Sequence, residues 1–308
     1  MVSGTAPNTL GFFSVEPKMI ADDHQLQSHV SLLAEWLRWA DAVVVGAGSG
    51  LSSAGGCNHY HSGGAFSRGF AGFEERHGFS TLKDGNYHMY SSNEEEWGYL
   101  ASYLSFMIDE PPYEPYVDLA AVLQGTPHFV LTPNIDTQVT KAFSENDVWT
   151  FHGDARFLQC CQPCGDELFE AEPVVRQIST SLDEGLRCPT DLLPRCPYCH
   201  RIMRPWVRDE TFLEGTRWNE GRTRYEEFLR RHLIGGERVL FLELGVGDMT
   251  PTVIKLPFWQ MTSDNRNARY CSVNIVKANA PRQLGDRGLA VAGDLAEVLR
   301  ALRASLPS

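Results

Sequence analysis

Short apolar runs separated by longer amphipathic stretches set the frame of this chain. Residues 41–45 run into glycines, and comparable runs fall at 128–132, 148–151, 239–244, 270–275 and 289–292. Runs of four to eight apolar residues ending in glycine or polar turns read as buried parallel strands. Residues 24–39 carry Leu26, Val30, Leu33, Trp36 and Leu37 at helical spacing, which predicts an amphipathic helix. Strands alternating with helical patterns predict an α/β fold, a Rossmann-like doubly wound parallel sheet.

Two segments break that rhythm. Residues 57–115 are rich in aromatics, Gly and His without a strand pattern, and 97–108 within them read as helical. We expect a cofactor-covering loop plus a helical insertion there. Residues 155–210 carry most of the cysteines and are expected to form a small separate module. The NAD-binding domain would then comprise 25–154 and 211–308, preceded by a disordered N-terminus over 1–24.

Composition narrows the field only a little. At 308 residues, 43% hydrophobic and 21% charged, the chain is an ordinary globular sequence. A net charge of −12 argues against a nucleic-acid partner, since phosphate binding needs concentrated Lys and Arg. No apolar run approaches the ~18 residues of a membrane span, and no membrane partner is expected. The first residues show neither a signal-peptide core nor an Arg-rich amphipathic pattern, so a cytoplasmic location is expected.

Five of the eight cysteines fall into two short groups, Cys160-Cys161-Gln162-Pro163-Cys164 and Cys196-Pro197-Tyr198-Cys199. Short-spaced pairs in a reducing compartment read as a tetrahedral site for structural Zn²⁺, which holds together a module with little core. Either Cys160 or Cys161 can supply the first ligand by spacing alone. Cys57, Cys188 and Cys271 read as core or surface thiols.

The first strand leads into Gly46-Ala47-Gly48-Ser49-Gly50-Leu51-Ser52. Glycines let backbone approach a pyrophosphate, and a helix starting there aims N–H groups at it. No acidic residue stands at a second strand end roughly 20 residues on, which weakens a hydride-transfer reading. A second cluster, Leu244-Gly245-Val246-Gly247-Asp248, ends a later strand, and Asn274 ends the next. Thr132-Pro133-Asn134-Ile135-Asp136 and Phe151-His152-Gly153-Asp154 end two further strands, placing Asn134, Asp136 and His152 at one edge of the sheet.

In this order, Gly-Ala-Gly, Asn-x-Asp, His-Gly, paired cysteines, Gly-x-Gly and a strand-end Asn resemble the sirtuins over about residues 41–299. The class M sirtuins linked to macrodomains are the nearer likeness, through Gly48-Ser49-Gly50-Leu51-Ser52, Gln159-Cys160, Pro163-Cys164 and Leu242-Glu243-Leu244-Gly245-Val246-Gly247. Thr250-Pro251 and Pro257-Phe258-Trp259-Gln260-Met261 extend it. Three departures stand out. Cys57-Asn58-His59-Tyr60-His61-Ser62-Gly63-Gly64 replaces the Asp-Phe-Arg stretch of the deacylases, and Gly247-Asp248-Met249 replaces Gly-Thr-Ser. Both argue against ordinary lysine deacylation. His152 stands where class M members usually carry Gln, which keeps deacylation open.

The resemblance implies NAD as a consumed co-substrate and transfer of ADP-ribose to an acceptor protein, typically a lipoyl carrier resembling the glycine-cleavage H protein, with a macrodomain hydrolase as companion. It implies cofactor contacts from Gly46, Ala47, Gly48, Ser49, Gly50, Leu51, Gly245, Gly247 and Asn274. Asn134 would order the ribose or a water, Asp136 would contact the nicotinamide amide, and His152 would accept a proton. Because the first zinc cysteine of sirtuins stands eight residues past that histidine, it implies the set Cys160, Cys164, Cys196 and Cys199, with Cys161 as the substitute. Arg204 and the Arg208-Asp209-Glu210 stretch follow on the substrate side, where an arginine can pair with an acidic acceptor or lipoate. The competing functions are a lysine deacylase using His152 as base and a non-catalytic NAD or ADP-ribose sensor.

Overall fold

A computed structural model describes residues 23–62, 64–248 and 251–306. Most of the N-terminus expected to be disordered, together with Gly63, Met249 and Thr250 of the quoted motifs, lies outside the described residues. Among the described residues nine strands are present: β1 (Ala42–Ala47), β2 (His128–Thr132), β3 (Val148–Thr150), β4 (Gly153–Cys160), β5 (Phe169–Glu170), β6 (Met203–Val207), β7 (Val239–Leu244), β8 (Ala268–Asn274) and β9 (Gly288–Ala292). The chain divides into two compact units.

The first unit comprises the chain through Leu51, Asp118–Leu131 and everything from Glu226. Its sheet is parallel throughout, in the order β2-β1-β7-β8-β9. β1 and β7 are buried at every position, as central strands covered on both faces must be, and their Val- and Leu-rich runs reflect that. The helix Asp23–Trp39 packs against the helix Leu295–Ser305 and on β9. Leu295–Ser305 turns one apolar stripe inward, Leu295, Val298, Leu299 and Leu302. Asp294 caps it by accepting from the N–H groups of Ala296 and Glu297. No helix among the described residues is long and apolar enough to cross a membrane.

A charge sits inside this sheet. Glu243, fully buried on β7, accepts hydrogen bonds from Lys255 Nζ at 2.7 Å, Tyr270 OH at 2.6 Å and Ser272 Oγ at 3.2 Å. Lys255 opens the helix Lys255–Asp264, which lies on β7 and β8. The pair therefore ties that helix to the sheet by a contact that tolerates no missing partner.

The second unit, Ser52–Val117 and Thr132–Tyr225, holds the insertion and the cysteine module. Between residues 65 and 109 the chain forms four helices, Ala65–Gly69, Ala71–His77, Leu82–Tyr87 and Asn93–Asp109. The last of these is longer than the 97–108 the sequence predicts. Ser92 caps it, and Glu94, Glu95 and Glu96 occupy its first turn, where the helix dipole favours acids. Trp97, Tyr99, Tyr103 and Leu104 face the core, and Tyr99 meets Phe70, Phe73 and Phe79 at ring distances of 5.4–5.6 Å. The cysteine module contains an antiparallel sheet, β5-β4-β6, which the sequence pattern does not announce.

Substituting Lys255→Met removes one partner of the buried pair and should lower unfolding free energy by about 3–5 kcal/mol, read from urea denaturation. A loss under about 1 kcal/mol, the range of an exposed ion pair, would show that the pair is effectively solvated.

Candidate active site

The glycine loop belongs to the first unit, and much of its glycine content answers to packing. Gly48 N–H donates to the Leu244 carbonyl at 2.8 Å and Gly50 N–H to the Gly245 carbonyl at 2.9 Å. A Cβ on Gly48 would meet Gly245 O at 2.5 Å; one on Gly50 would meet Gly245 Cα at 2.7 Å. Gly245 itself has φ 63° and lies against the backbone of Gly50 and Leu51. The two loops approach backbone to backbone, which only glycine permits. Gly46 is excluded from carrying a side chain by Ile254 and Phe258. Gly247 differs: a Cβ there would meet nothing within 4 Å, so packing does not require its glycine. Ala47 and Leu51 are buried, and Ser49 begins the helix Ser49–Ala54. Asn274 spends its side chain on its own turn, donating to the Val246 carbonyl and accepting from the N–H groups of Val276 and Lys277.

The second unit holds the polar centre. β2 ends at Thr132, whose Oγ1 accepts from Asn134 N–H at 3.0 Å, and Pro133 prevents the strand from continuing. Asp136 is 3% exposed. Its Oδ1 accepts from Gln138 N–H at 3.2 Å, at the start of the helix Gln138–Ala142. Its Oδ2 accepts a short bond from Ser52 Oγ. With the Ser52 proton so committed, its oxygen accepts from Tyr116 OH at 2.9 Å and from Asn134 Nδ2 at 3.3 Å. Asn134 Nδ2 also reaches Tyr116 OH at 3.2 Å. The structure thus brings Asn134 and Asp136 together through two residues that the sequence reading assigned no role. Ser52 belongs to the quoted glycine-loop motif, a signal that was present; Tyr116 carries no local motif at all.

Strain accompanies the centre. Thr137, next to Asp136, has φ 66°, unfavourable for a β-branched residue. Its Oγ1 donates to the Met107 carbonyl at 3.0 Å, and Lys141 Nζ donates to the same carbonyl at 2.9 Å. The end of the helix Asn93–Asp109 therefore holds the loop in its strained form.

His152 is half-buried against Phe151, with ring centroids 5.4 Å apart, and no hydrogen bond joins its ring to Asn134 or Asp136. Its peptide is clamped. The Phe151 carbonyl accepts from Arg208 Nε, Arg208 Nη2 and Trp218 Nε1 at 3.1–3.3 Å, and Arg208 N–H donates to the His152 carbonyl at 2.9 Å. Burial, then the Arg208 charge, lowers the His152 pKa to about 4. Arg204 has a different partner, Glu96.

In the cysteine module, the sulfurs of Cys160, Cys164, Cys196 and Cys199 all lie within 4.8 Å of one another. A tetrahedral zinc with Zn–S near ~2.3 Å requires sulfurs close to ~3.8 Å apart, so the four residues fit that ion. Cys161 is not in the group. Hydrogen bonding to Cys196 raises Cys164 to about 12, whereas the Arg201 N–H lowers Cys199 to about 6.

No protein-family model matches the chain. A Staphylococcus aureus protein named "Protein ADP-ribosyltransferase" is 27% identical over 264 residues, covering 84% of this chain and 82% of that protein. A Fusarium oxysporum f. sp. cubense protein named "Probable bifunctional ADP-ribose hydrolase/ADP-ribosyltransferase" is 30% identical over 284 residues, 89% of this chain. This chain spans 47% of that relative's length. Among solved structures, a Sir2 (sirtuin) homologue in complex with NAD matches with a TM-score of 0.59 at 18% identity, over 90% of this chain and 95% of the other. This chain has the sirtuin fold. Within that fold, its parallel sheet and cysteine module agree with the α/β, Rossmann-like architecture and small zinc-type module expected from the sequence.

The lowered pKa has a definite sign. The folded state leaves His152 neutral down to about pH 4, whereas the unfolded ring protonates near ~6.5. Between those values the unfolded state binds more protons, so this residue's contribution to stability falls as pH drops through the window. Ring-carbon NMR should place the His152 midpoint near 4, moving partway upward in Arg208→Gln because burial remains. A wild-type midpoint near ~6.5 would contradict the described environment.

Proposed function

We propose that this protein is an NAD-dependent protein ADP-ribosyltransferase. The observation that carries the reading is the buried Asn134–Tyr116–Ser52–Asp136 network in the second unit. Two sequence relatives whose names include ADP-ribosyltransferase support it.

NAD supplies an electrophilic anomeric carbon bearing nicotinamide as leaving group. The C–N glycosidic bond breaks with its electron pair going to nicotinamide, the acceptor's nucleophile bonds to that carbon, and the nucleophile's proton passes to a base. Asp136 accepts from the carboxamide N–H and holds negative charge where positive charge develops; its two protein hydrogen bonds fix it before substrate arrives. Asn134, oriented by Ser52 and Tyr116, orders the ribose or a water. His152, neutral at pH 7 and fixed by the Arg208 clamp, takes the proton. Gly46, Ala47, Gly48, Ser49, Gly50, Leu51, Gly245, Gly247 and Asn274 are assigned to the phosphates and ribose. Cys160, Cys164, Cys196 and Cys199 would hold a zinc ion whose contribution is structural.

The acceptor is a protein, and a lipoylated carrier of the H type is our specific proposal. The Fusarium relative's name joins ADP-ribose hydrolase to the transferase, which favours a macrodomain-type hydrolase as companion. Neutral, clamped His152 favours one second reading, NAD-dependent lysine deacylation.

Intact-mass analysis with NAD, offering a lipoylated carrier and an acetyl-lysine peptide separately, decides between them. One ADP-ribose added to the carrier is expected, and Asn134→Ala should slow the addition at least ~100-fold. Deacetylation of the peptide without carrier modification would establish the second reading. Unchanged NAD consumption in Asn134→Ala would remove Asn134 from the site.

A further inference from the structure

The stretch that replaces Asp-Phe-Arg places an imidazole near the Asp136 centre. His59 Nε2 is sealed from solvent and has no hydrogen-bond partner. Its Nδ1 lies 3.9 Å from Cys57 Sγ. Tyr103 meets the ring edge-on, with centroids 6.1 Å apart, and the His59 carbonyl accepts from Lys83 N–H at 3.0 Å, so the residue is held on two sides. Cys57 N–H donates to the Ser52 carbonyl at 3.1 Å, and Ser52 Oγ bonds Asp136, so the stretch carrying His59 is tied to the Asp136 centre.

Burial pushes the Cys57 thiol up to about 12, so it keeps a hydrogen that Nδ1 can accept. Burial also lowers the His59 pKa, so the ring is neutral at pH 7. A neutral imidazole that accepts at Nδ1 is protonated at Nε2. In that tautomer the unpartnered atom is an N–H donor, and native structures rarely leave one buried without a purpose.

A primary carboxamide presents an oxygen acceptor and an N–H donor side by side. We propose that His59 Nε2–H donates to the carboxamide oxygen of the nicotinamide group while Asp136 accepts from its N–H, making His59 a specificity residue for the amide. The inference rests on the NAD reading above. It also predicts selectivity: a carboxylate in place of the amide would set two negative groups together at Asp136, and sites built for matched hydrogen bonds reject such analogues strongly.

Calorimetric titration of the full chain with nicotinamide and, separately, ADP-ribose tests this in wild type, His59→Leu and His59→Gln. His59→Leu should weaken nicotinamide binding roughly tenfold and leave ADP-ribose binding unchanged. His59→Gln, whose amide N–H₂ can replace the donor, should retain most of the affinity. Should His59→Leu fail to fold, the ¹⁵N-edited histidine spectrum of the wild type still decides. The His59 Nε2–H resonance should move on adding nicotinamide and stay put with ADP-ribose. Equal nicotinamide affinity in His59→Leu, equal loss of both ligands, or an unmoved resonance in a wild type that binds nicotinamide would overturn the assignment of His59 alone. A wild type that binds neither ligand would overturn the NAD reading along with it.

Discussion

The second unit is organised around a carboxylate that has almost left water. Asp136 is 3% exposed, and an ionised group so placed must be met by donors or give up its charge. Gln138 N–H supplies one donor and the Ser52 hydroxyl another. The second commitment propagates. Because Ser52 gives its proton to Asp136, its oxygen can only accept, and that orients both Tyr116 OH and the Asn134 amide. Thr137 and Lys141 then anchor the same loop to the Met107 carbonyl in the last turn of the helix Asn93–Asp109. One buried carboxylate thus accounts for a directed hydrogen-bond chain that runs through Ser52 to Tyr116 and Asn134.

The first unit solves a comparable problem for a different end. Glu243 is also a buried carboxylate, but Lys255, Tyr270 and Ser272 surround it completely. With its donors closed around it inside a packed sheet, it serves to fix a helix. Asp136 retains lone pairs beyond its two protein partners, and nearby His59 holds an unpartnered nitrogen. The contrast between a closed and an incompletely satisfied cluster distinguishes these two carboxylates better than burial does.

Periodicity made the parallel strands and the first helix legible, because each is a contiguous run with its own pattern. The six-residue β7 matches the sequence reading at both ends, as does the five-residue β2. The antiparallel strands of the cysteine module were not legible: β4 mixes Arg, Gln and Phe without alternation and shows a register shift between Gly153 and Leu158. Asn134 and Asp136 could be singled out because they share one short motif after a strand. Tyr116 and Arg208 could not, since each earns its place only through partners 64 and 57 residues away in sequence, Ser52 and Phe151. The glycines illustrate a subtler point. Their motif reads as a phosphate cradle, yet Gly46, Gly48, Gly50 and Gly245 are already required by packing, leaving Gly247 as the one whose small size packing does not explain.

Asp136→Asn keeps an oxygen and an amide that can still bond Ser52 and Gln138, so the fold should survive while the negative charge is lost. Single-turnover release of nicotinamide from NAD, with ADP-ribose binding measured in parallel, is the direct test. The account predicts release slowed by roughly 100- to 1,000-fold with ADP-ribose affinity preserved. Release within a few-fold of wild type would mean that the buried carboxylate holds the loop together and takes no part in cleaving NAD.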